Sequence, residues 1–98
     1  MTRQEMTEKI AERTGMTKIE VDVVIKGVFE LLGETLSENR RAEFRGFGSF
    51  NVKRRAPKSA RNPGTNEIVH VPERFVPVFK PSDKLKIKVN ESIKKRRF

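Results

Sequence analysis

One segment of the chain carries the side chains best suited to binding. Residues 53–67 read KRRAPKSARNPGTNE, with five Lys and Arg in the first nine positions. Guanidinium and ammonium groups bind anionic oxygens, those of phosphate above all. Apart from two prolines and one glycine, only Ala56 and Ala60 are non-polar. A segment that cannot be buried and is this basic predicts an extended surface for a polyanion.

The rest of the chain must hold this segment in place. The chain has 98 residues, of which 35% are apolar and 36% charged. This predicts a single domain with a small core, for which oligomerisation is expected. There are no cysteines, which excludes disulfides and thiolate metal sites. No secretory signal and no apolar run near 20 residues is apparent, so a cytoplasmic location is expected.

The charge is unevenly distributed along the chain. Residues 1–39 hold five Lys and Arg against eight Asp and Glu, whereas residues 40–98 hold 17 against five. The split predicts a neutral-to-acidic helical part and a cationic binding part. Nucleic acid is the favoured partner. An anionic membrane surface is less favoured, because the pattern shows no amphipathic basic helix.

Two helices are predicted in the first half of the chain. Thr2 and Thr17 each begin a T-x-x-E capping box, and Gly15 is a suitable helix stop. Apolar residues then recur at helical spacing, which predicts helices over residues 3–14 and 18–38. The second helix is apolar around most of its circumference and would be buried on two sides. We therefore predict a homodimer, or a heterodimer with a paralogous subunit.

Strands follow from Arg41, where the apolar period changes to two. Gly46-Phe47-Gly48 predicts a tight reversal between two strands and no nucleotide-binding loop, because it opens no helix. Residues 53–75 predict a long two-stranded arm that turns near Pro63 and reaches about 35 Å at 3.3 Å per residue. A short helix is expected from Pro81-Ser82-Asp83. Residues 91–98, ESIKKRRF, are expected to form a disordered basic tail.

Three motifs together identify a family resemblance. RGFGSF, RAPKSARNPGT and VPVFKPSDKL, with the two capped helices, resemble the HU/IHF family of bacterial DNA-bending proteins over about residues 2–90. The motifs EFRGFGSF, RAP and FKP resemble its integration host factor beta branch most. The resemblance implies an α+β fold: an intertwined dimer with a helical base, a three-stranded antiparallel sheet per chain, the protruding arm and a short last helix. It also implies minor-groove binding to double-stranded DNA and bending of it, as a nucleoid-associated architectural protein.

The resemblance assigns roles to individual residues. Pro63 matches the intercalating proline, and Glu43 matches a carboxylate that orients Arg45 toward the groove. Asn66 stands where the family often has glycine, and asparagine tolerates the left-handed backbone such a turn needs. The implied arm contacts are Lys53, Arg54, Arg55, Lys58, Arg61, Asn62 and Arg74. The implied body contacts are Arg3, Lys18, Glu43, Arg45, Ser49, Lys80, Lys84 and Lys86.

Other functions are less consistent with the sequence. Catalysis is not favoured, because His70 is the single histidine and no nucleophile, phosphate-loop or metal-ligand spacing accompanies it. No cofactor and no small-molecule substrate are expected. An RNA-binding or ribosome-associated protein shares the basic composition, but the Phe residues other than Phe98 follow core patterns and not a stacking surface. A filament protein that coats DNA without bending it is a further alternative. The sequence leaves open the identity of the partner subunit and any preferred DNA site.

Overall fold

The computed structural model describes residues 1–96 as three helices and five strands. The order along the chain is α1 (Arg3–Thr14), α2 (Lys18–Ser37), β1 (Ala42–Phe44), β2 (Gly48–Arg55), β3 (Lys58–Arg61), β4 (Ile68–Val71), β5 (Arg74–Pro81) and α3 (Asp83–Arg96). All strand pairs are antiparallel. The predicted α+β class is confirmed.

The two predicted helices begin where their caps stand. The Thr2 hydroxyl accepts from the Glu5 amide at 3.1 Å, and the Thr17 hydroxyl accepts from the Glu20 amide at 3.2 Å. Gly15 ends α1 with φ 76°, and its amide donates to the Ala11 carbonyl. A left-handed residue at this position favours glycine, because it has no Cβ to clash. These local signals explain why both helices lie within one residue of their predicted bounds.

The chain forms two separate ladders. β1, β2 and β5 make a three-stranded sheet with β2 in the centre, and β3 pairs with β4 alone. After Arg55 the chain forms β3 and β4, a two-stranded ladder here called the distal ribbon, and it rejoins the sheet at Arg74. The arm predicted over residues 53–75 therefore contains the ends of β2 and β5 as well. The chain measures 56 Å along its longest axis, which is long for 98 residues and reflects this extension.

The core that one chain builds for itself is very small. Ala11, Val21 and Ile25 are its buried apolar residues, between α1 and α2. In contrast, Phe29 on α2 is 56% exposed and Phe75 on β5 is 62% exposed. A groove of about 520 Å³ separates the end of α2 from β2 and β5, and apolar residues line most of it. A chain that exposes this much apolar surface requires a second subunit to cover it.

The prediction of a disordered tail over residues 91–98 is wrong for the described part of it. Helix α3 runs on to Arg96, and residues 97 and 98 lie outside the described residues. Leu85, Val89 and Ile93 continue one apolar stripe at four-residue spacing. Three cations in the last turn stabilise the helix, because they lie at the negative end of its dipole. α3 is thus longer than expected, and, contrary to the prediction from the sequence, it is a basic amphipathic helix.

Gly48 shows how tightly the sheet packs beneath the β1–β2 turn. A Cβ at this position would lie 2.6 Å from the Lys80 carbonyl oxygen and 2.7 Å from the Phe79 ring. We expect Gly48→Ala to destabilise the protein by about 1–3 kcal/mol, because the backbone of β5 cannot move away freely. Thermal unfolding followed by circular dichroism measures this. Gly64→Ala at the tip, where the contact is 3.4 Å, serves as control, and an equal melting temperature for both variants would contradict the packing argument.

Candidate nucleic-acid interface

Strand register divides the sheet into two chemically different faces. Residues paired across strands share a face, and successive pairs alternate. One face, here called the outer face, carries Glu43, Ser49, Asn51, Lys53, Arg55, Arg74, Val76, Val78 and Lys80. The opposite face carries Phe50 paired with Phe79, whose rings are 4.8 Å apart, and Val52 paired with Pro77. Four of the five Lys and Arg residues in the paired strands of the sheet therefore lie on the outer face, and the aromatic side chains of those strands lie on the opposite face.

The arm cations do not all share the outer face. Lys53, Arg55 and Arg74 lie on it, and Arg55 stands directly opposite Arg74 in the register. Arg54 lies on the apolar face, where its Nη2 donates to Glu73 Oε2 at 2.8 Å. Two like charges facing each other without a counterion between them raise the local positive potential. An anion bound there would relieve this repulsion.

The distal ribbon displays further polar groups. In β3 and β4, Lys58 pairs with Val71, Ser59 with His70, and Arg61 with Ile68. The Ser59 hydroxyl lies 3.3 Å from His70 Nδ1 across the ribbon. Lys58 and Arg61 fall on opposite faces, because they are three residues apart on one strand. A ribbon with cations on both faces can contact anions on either side.

The tip is held by its own hydrogen bonds. The Asn62 side-chain oxygen accepts from the Gly64 amide at 2.9 Å, and the Asn66 amide donates to the Asn62 carbonyl at 2.7 Å. Asn66 has φ 62°, so the expectation that it adopts the left-handed conformation is confirmed. Arg61 Nη1 donates to the Asn66 side-chain oxygen at 3.2 Å. Pro63 is exposed between these groups, at the far end of the chain from the core.

Near the β1–β2 turn the predicted body residues are brought together, but not in the expected pairs. Glu43 Oε1 lies 3.4 Å from Arg41 Nη2, whereas Arg45 lies in the turn after β1 and has no ion pair within residues 1–96. Glu43 thus pairs with Arg41 in the free chain, and its orientation of Arg45 on DNA stays a prediction. Arg41 was missed, although the same strand pattern contains it.

Ser49 and the start of α3 complete this region. Ser49 is only 5% exposed and its hydroxyl accepts from Asn51 Nδ2 at 3.2 Å, so it is less available for contact than predicted. Ser82 caps α3, accepting from the Leu85 amide at 3.1 Å and donating to the Gly46 carbonyl at 3.0 Å. The Lys84 Cδ atom lies 4.0 Å from the point that a Cβ would occupy at Gly46. The cap thus fixes Lys84 beside the turn that bears Arg45, a role of Ser82 that sequence reasoning missed.

The remaining predicted body residues lie elsewhere on the chain. Arg3 Nε is 3.6 Å from Asp22 Oδ1, and Lys26 Nζ is 3.1 Å from Asp22 Oδ2. Lys18, at the start of α2, lines a shallow cleft together with Arg3, Asp22 and Lys26. Lys86 is exposed on α3, and Lys80 stands opposite Ser49 on the outer face. One chain therefore carries cations at its helical end, beside its sheet and along its arm.

Other kinds of site are not evident in the described part of the chain. Within residues 1–96 no group of His, Asp and Glu side chains is arranged to hold a metal ion. No helix among those residues is both long enough and apolar enough to cross a bilayer. The extended cationic surface is the dominant feature.

These features define a class of DNA-binding protein, and the comparisons with known proteins agree. Residues 1–90 match the sequence model of the family described as bacterial DNA-binding protein. The chain belongs to this family, the HU/IHF family. It binds double-stranded DNA as a dimer and bends it as a nucleoid-associated architectural protein.

Particular relatives refine this assignment. The chain is 43% identical over 95 residues to integration host factor subunit beta of Hahella chejuensis, covering 96% of this chain and 97% of that one. It is 44% identical over 94 residues to the corresponding protein of Saccharophagus degradans, covering 95% and 96%. Its fold matches an HU protein from Anabaena crystallised with DNA, with TM-score 0.86 and 32% identity over 91% of this chain and 97% of that one. An HU variant from Thermotoga maritima matches with TM-score 0.68 and 27% identity, over 91% and 99%.

Proposed function

We propose that the two arms of the dimer straddle a DNA duplex, enter its minor groove and kink it by wedging Pro63 between base pairs. The observation that carries this proposal is the exposed Pro63 at the end of a narrow cationic ribbon whose tip is held by internal hydrogen bonds. A proline ring is rigid and apolar and has no N–H to leave unpaired, so it suits insertion into a base stack. Minor-groove architectural proteins, this family among them, insert such apolar wedges.

The cations around the wedge supply most of the affinity. Lys53, Arg55 and Arg74 on the outer face would meet phosphates near the arm base, while Lys58, Arg61 and the polar Asn62 would meet them near the tip. Arg3, Lys18, Arg45, Lys80, Lys84 and Lys86 would hold the flanking DNA against the body, with Glu43 orienting Arg45 once DNA is bound. If a dimer neutralises about eight to ten phosphates, log K should fall with log salt at a slope of about −7 to −9.

The second subunit is proposed to be a paralogous chain of the same fold. The relatives named above are beta subunits, which favours a distinct partner over a second copy. Co-expression with such a paralogue, followed by native mass spectrometry, distinguishes the two assemblies. We further propose that the complex acts in the bacterial nucleoid without catalysis. Competition between duplex DNA and structured RNA in a gel-shift assay tests the RNA-binding alternative, which predicts that RNA competes as well as DNA.

Substitutions should distinguish the contribution of Pro63 to bending from the contribution of the arm cations to affinity. We expect Pro63→Ala to reduce the DNA bend strongly while lowering affinity by no more than about fivefold, because the phosphate contacts remain. Arg55→Ala with Arg61→Ala should lower affinity at least tenfold and reduce the salt slope by about two per arm. Bend angle by fluorescence energy transfer and affinity by anisotropy, on one duplex of about 35 base pairs, measure both effects.

Gly64→Ala is the matched control for the wedge, since it alters the neighbouring tip residue without removing the proline ring. It should leave the bend angle unchanged. Equal bend angles for wild type and Pro63→Ala would refute intercalation by Pro63 while leaving the cationic contacts in place.

A further inference from the structure

An ion pair spans the junction between the sheet and the distal ribbon. Arg54 Nη2 donates to Glu73 Oε2 at 2.8 Å, and the two residues are 19 positions apart in sequence. The side chains are 55% and 44% exposed. Arg54 is the next-to-last residue of β2, while Glu73 immediately precedes β5. The pair thus connects the two sides of the arm at its base.

At this junction neither strand of the arm forms ladder hydrogen bonds with the other. The β2–β5 ladder ends at Arg55 and Arg74, and the β3–β4 ladder begins at Lys58 and Val71. The four intervening residues, 56, 57, 72 and 73, belong to neither ladder. Two of them, Pro57 and Pro72, have no N–H to donate across the gap. Since no ladder hydrogen bond joins the sheet to the distal ribbon, side-chain contacts at the junction affect the angle between them.

Glu73 is the only acidic residue among the cations at this junction. Arg74 follows it in sequence, and Lys53, Arg54 and Arg55 form the end of the strand that pairs with β5. Its carboxylate pairs with Arg54, the one of these cations that lies on the apolar face. A DNA phosphate offers Arg54 an alternative anionic partner, with two oxygens in the geometry that a guanidinium favours. The carboxylate and the phosphate therefore compete for the same side chain.

We propose that Glu73 is a positioning residue that, with Arg54, forms a latch at the base of the arm. In the absence of DNA the latch biases the angle between the sheet and the distal ribbon and neutralises Arg54. When the arm engages DNA, the pair opens and the Arg54 guanidinium moves to a phosphate. Glu73 thereby weakens DNA binding and limits the orientations of the free arm. This inference rests on the proposed function, since it requires the arm to contact DNA.

The test compares two single charge removals in the same arm. Glu67, beside the tip, forms no ion pair within residues 1–96, so Glu67→Gln changes the net charge by the same amount without opening the latch. Exposed ion pairs contribute up to about 1 kcal/mol, which corresponds to about fivefold in affinity. With the assembled dimer and a duplex of about 35 base pairs at low salt, Glu73→Gln should raise affinity about three- to fivefold more than Glu67→Gln.

A double-mutant cycle identifies Arg54 as the partner. In an Arg54→Gln background, Glu73→Gln should raise affinity no more than Glu67→Gln does, because there is no guanidinium left to release. Equal gains from the two glutamate variants in the wild-type background would overturn the latch, as would a full Glu73→Gln gain without Arg54. The proposed function is tested separately, because its failure would appear as unchanged affinity in the Arg55→Ala, Arg61→Ala variant.

Discussion

Shortening the arm should remove most of the DNA affinity and the bend together. Replacing residues 55–74 by Asn-Gly leaves Arg54 paired with Phe75 in the existing register, and Asn-Gly favours the two-residue turn that closes such a hairpin. The change deletes Pro63 and four cations, Arg55, Lys58, Arg61 and Arg74, from each arm. We expect affinity to fall at least about 100-fold at 0.1 M salt, because these contacts dominate the electrostatic free energy of binding.

Two measurements decide this prediction. Anisotropy titrations at several salt concentrations give affinity and salt slope, and the slope should lose more than half of its magnitude when both arms are shortened. Energy transfer between the duplex ends should show no bend at saturating protein. The melting temperature serves as the control for folding, since the deletion leaves α1, α2 and the three-stranded sheet intact. A shortened dimer that still binds and bends as the intact one does would refute the role of the arm.

A charge on the exposed apolar face of α2 should unfold the protein. Phe29 is more than half exposed in one chain, and within residues 1–96 only Ala11, Val21 and Ile25 form the buried apolar core. In the dimer Phe29 is expected to be covered by the second subunit. Truncating a buried Phe costs about 3–5 kcal/mol, and an unpaired carboxylate adds to this cost. Since whole domains are stable by about 5–15 kcal/mol, Phe29→Asp should abolish cooperative folding at room temperature.

Sedimentation and circular dichroism measure the outcome. Co-expressed with its paralogous partner, the wild-type chain should sediment as a dimer at micromolar concentration, with a melting temperature that rises with concentration. Phe29→Asp should show neither the dimer nor a cooperative transition. Glu34→Asp, which places an aspartate at an exposed polar position of the same helix, should behave as wild type. A folded monomeric Phe29→Asp variant would show that one chain is stable alone, contrary to the small size of its core.

Much of the fold could be predicted because its signals are local. The T-x-x-E boxes determine where α1 and α2 begin, and Gly15 determines where α1 ends. Each signal is local, because a cap residue and its hydrogen-bond partner are only three or four positions apart. The arm could be predicted because residues 53–67 contain almost nothing to bury. The end of α3 was misjudged for a related reason: the density of cations near residue 95 suggested disorder, but the stripe from Leu85 to Ile93 continues the helix.

The candidate site was predicted less completely than the fold. Its cations could be located along the chain, yet the face on which each one lies depends on register and on the turn at Arg45. In the free chain Glu43 pairs with Arg41, a partner that the sequence did not single out. Exposed ion pairs contribute about 1 kcal/mol or less, so sequence spacing alone does not select among several nearby partners. The buried position of Ser49 likewise depends on tertiary structure, because Ser49 lies in the central strand between Glu43 and Lys80.

The sequence by itself determined where the helices begin, that residues 53–67 cannot be buried, and that the binding surface is cationic. Each of these follows from short-range hydrogen bonding, from apolar content or from net charge. Only the tertiary structure decided that Arg54 pairs with Glu73, that Lys53 and Arg55 share a face with Lys80, and that one chain leaves much of its apolar surface exposed. These properties depend on strand register and packing between residues distant in sequence, where the free-energy differences between alternatives are small.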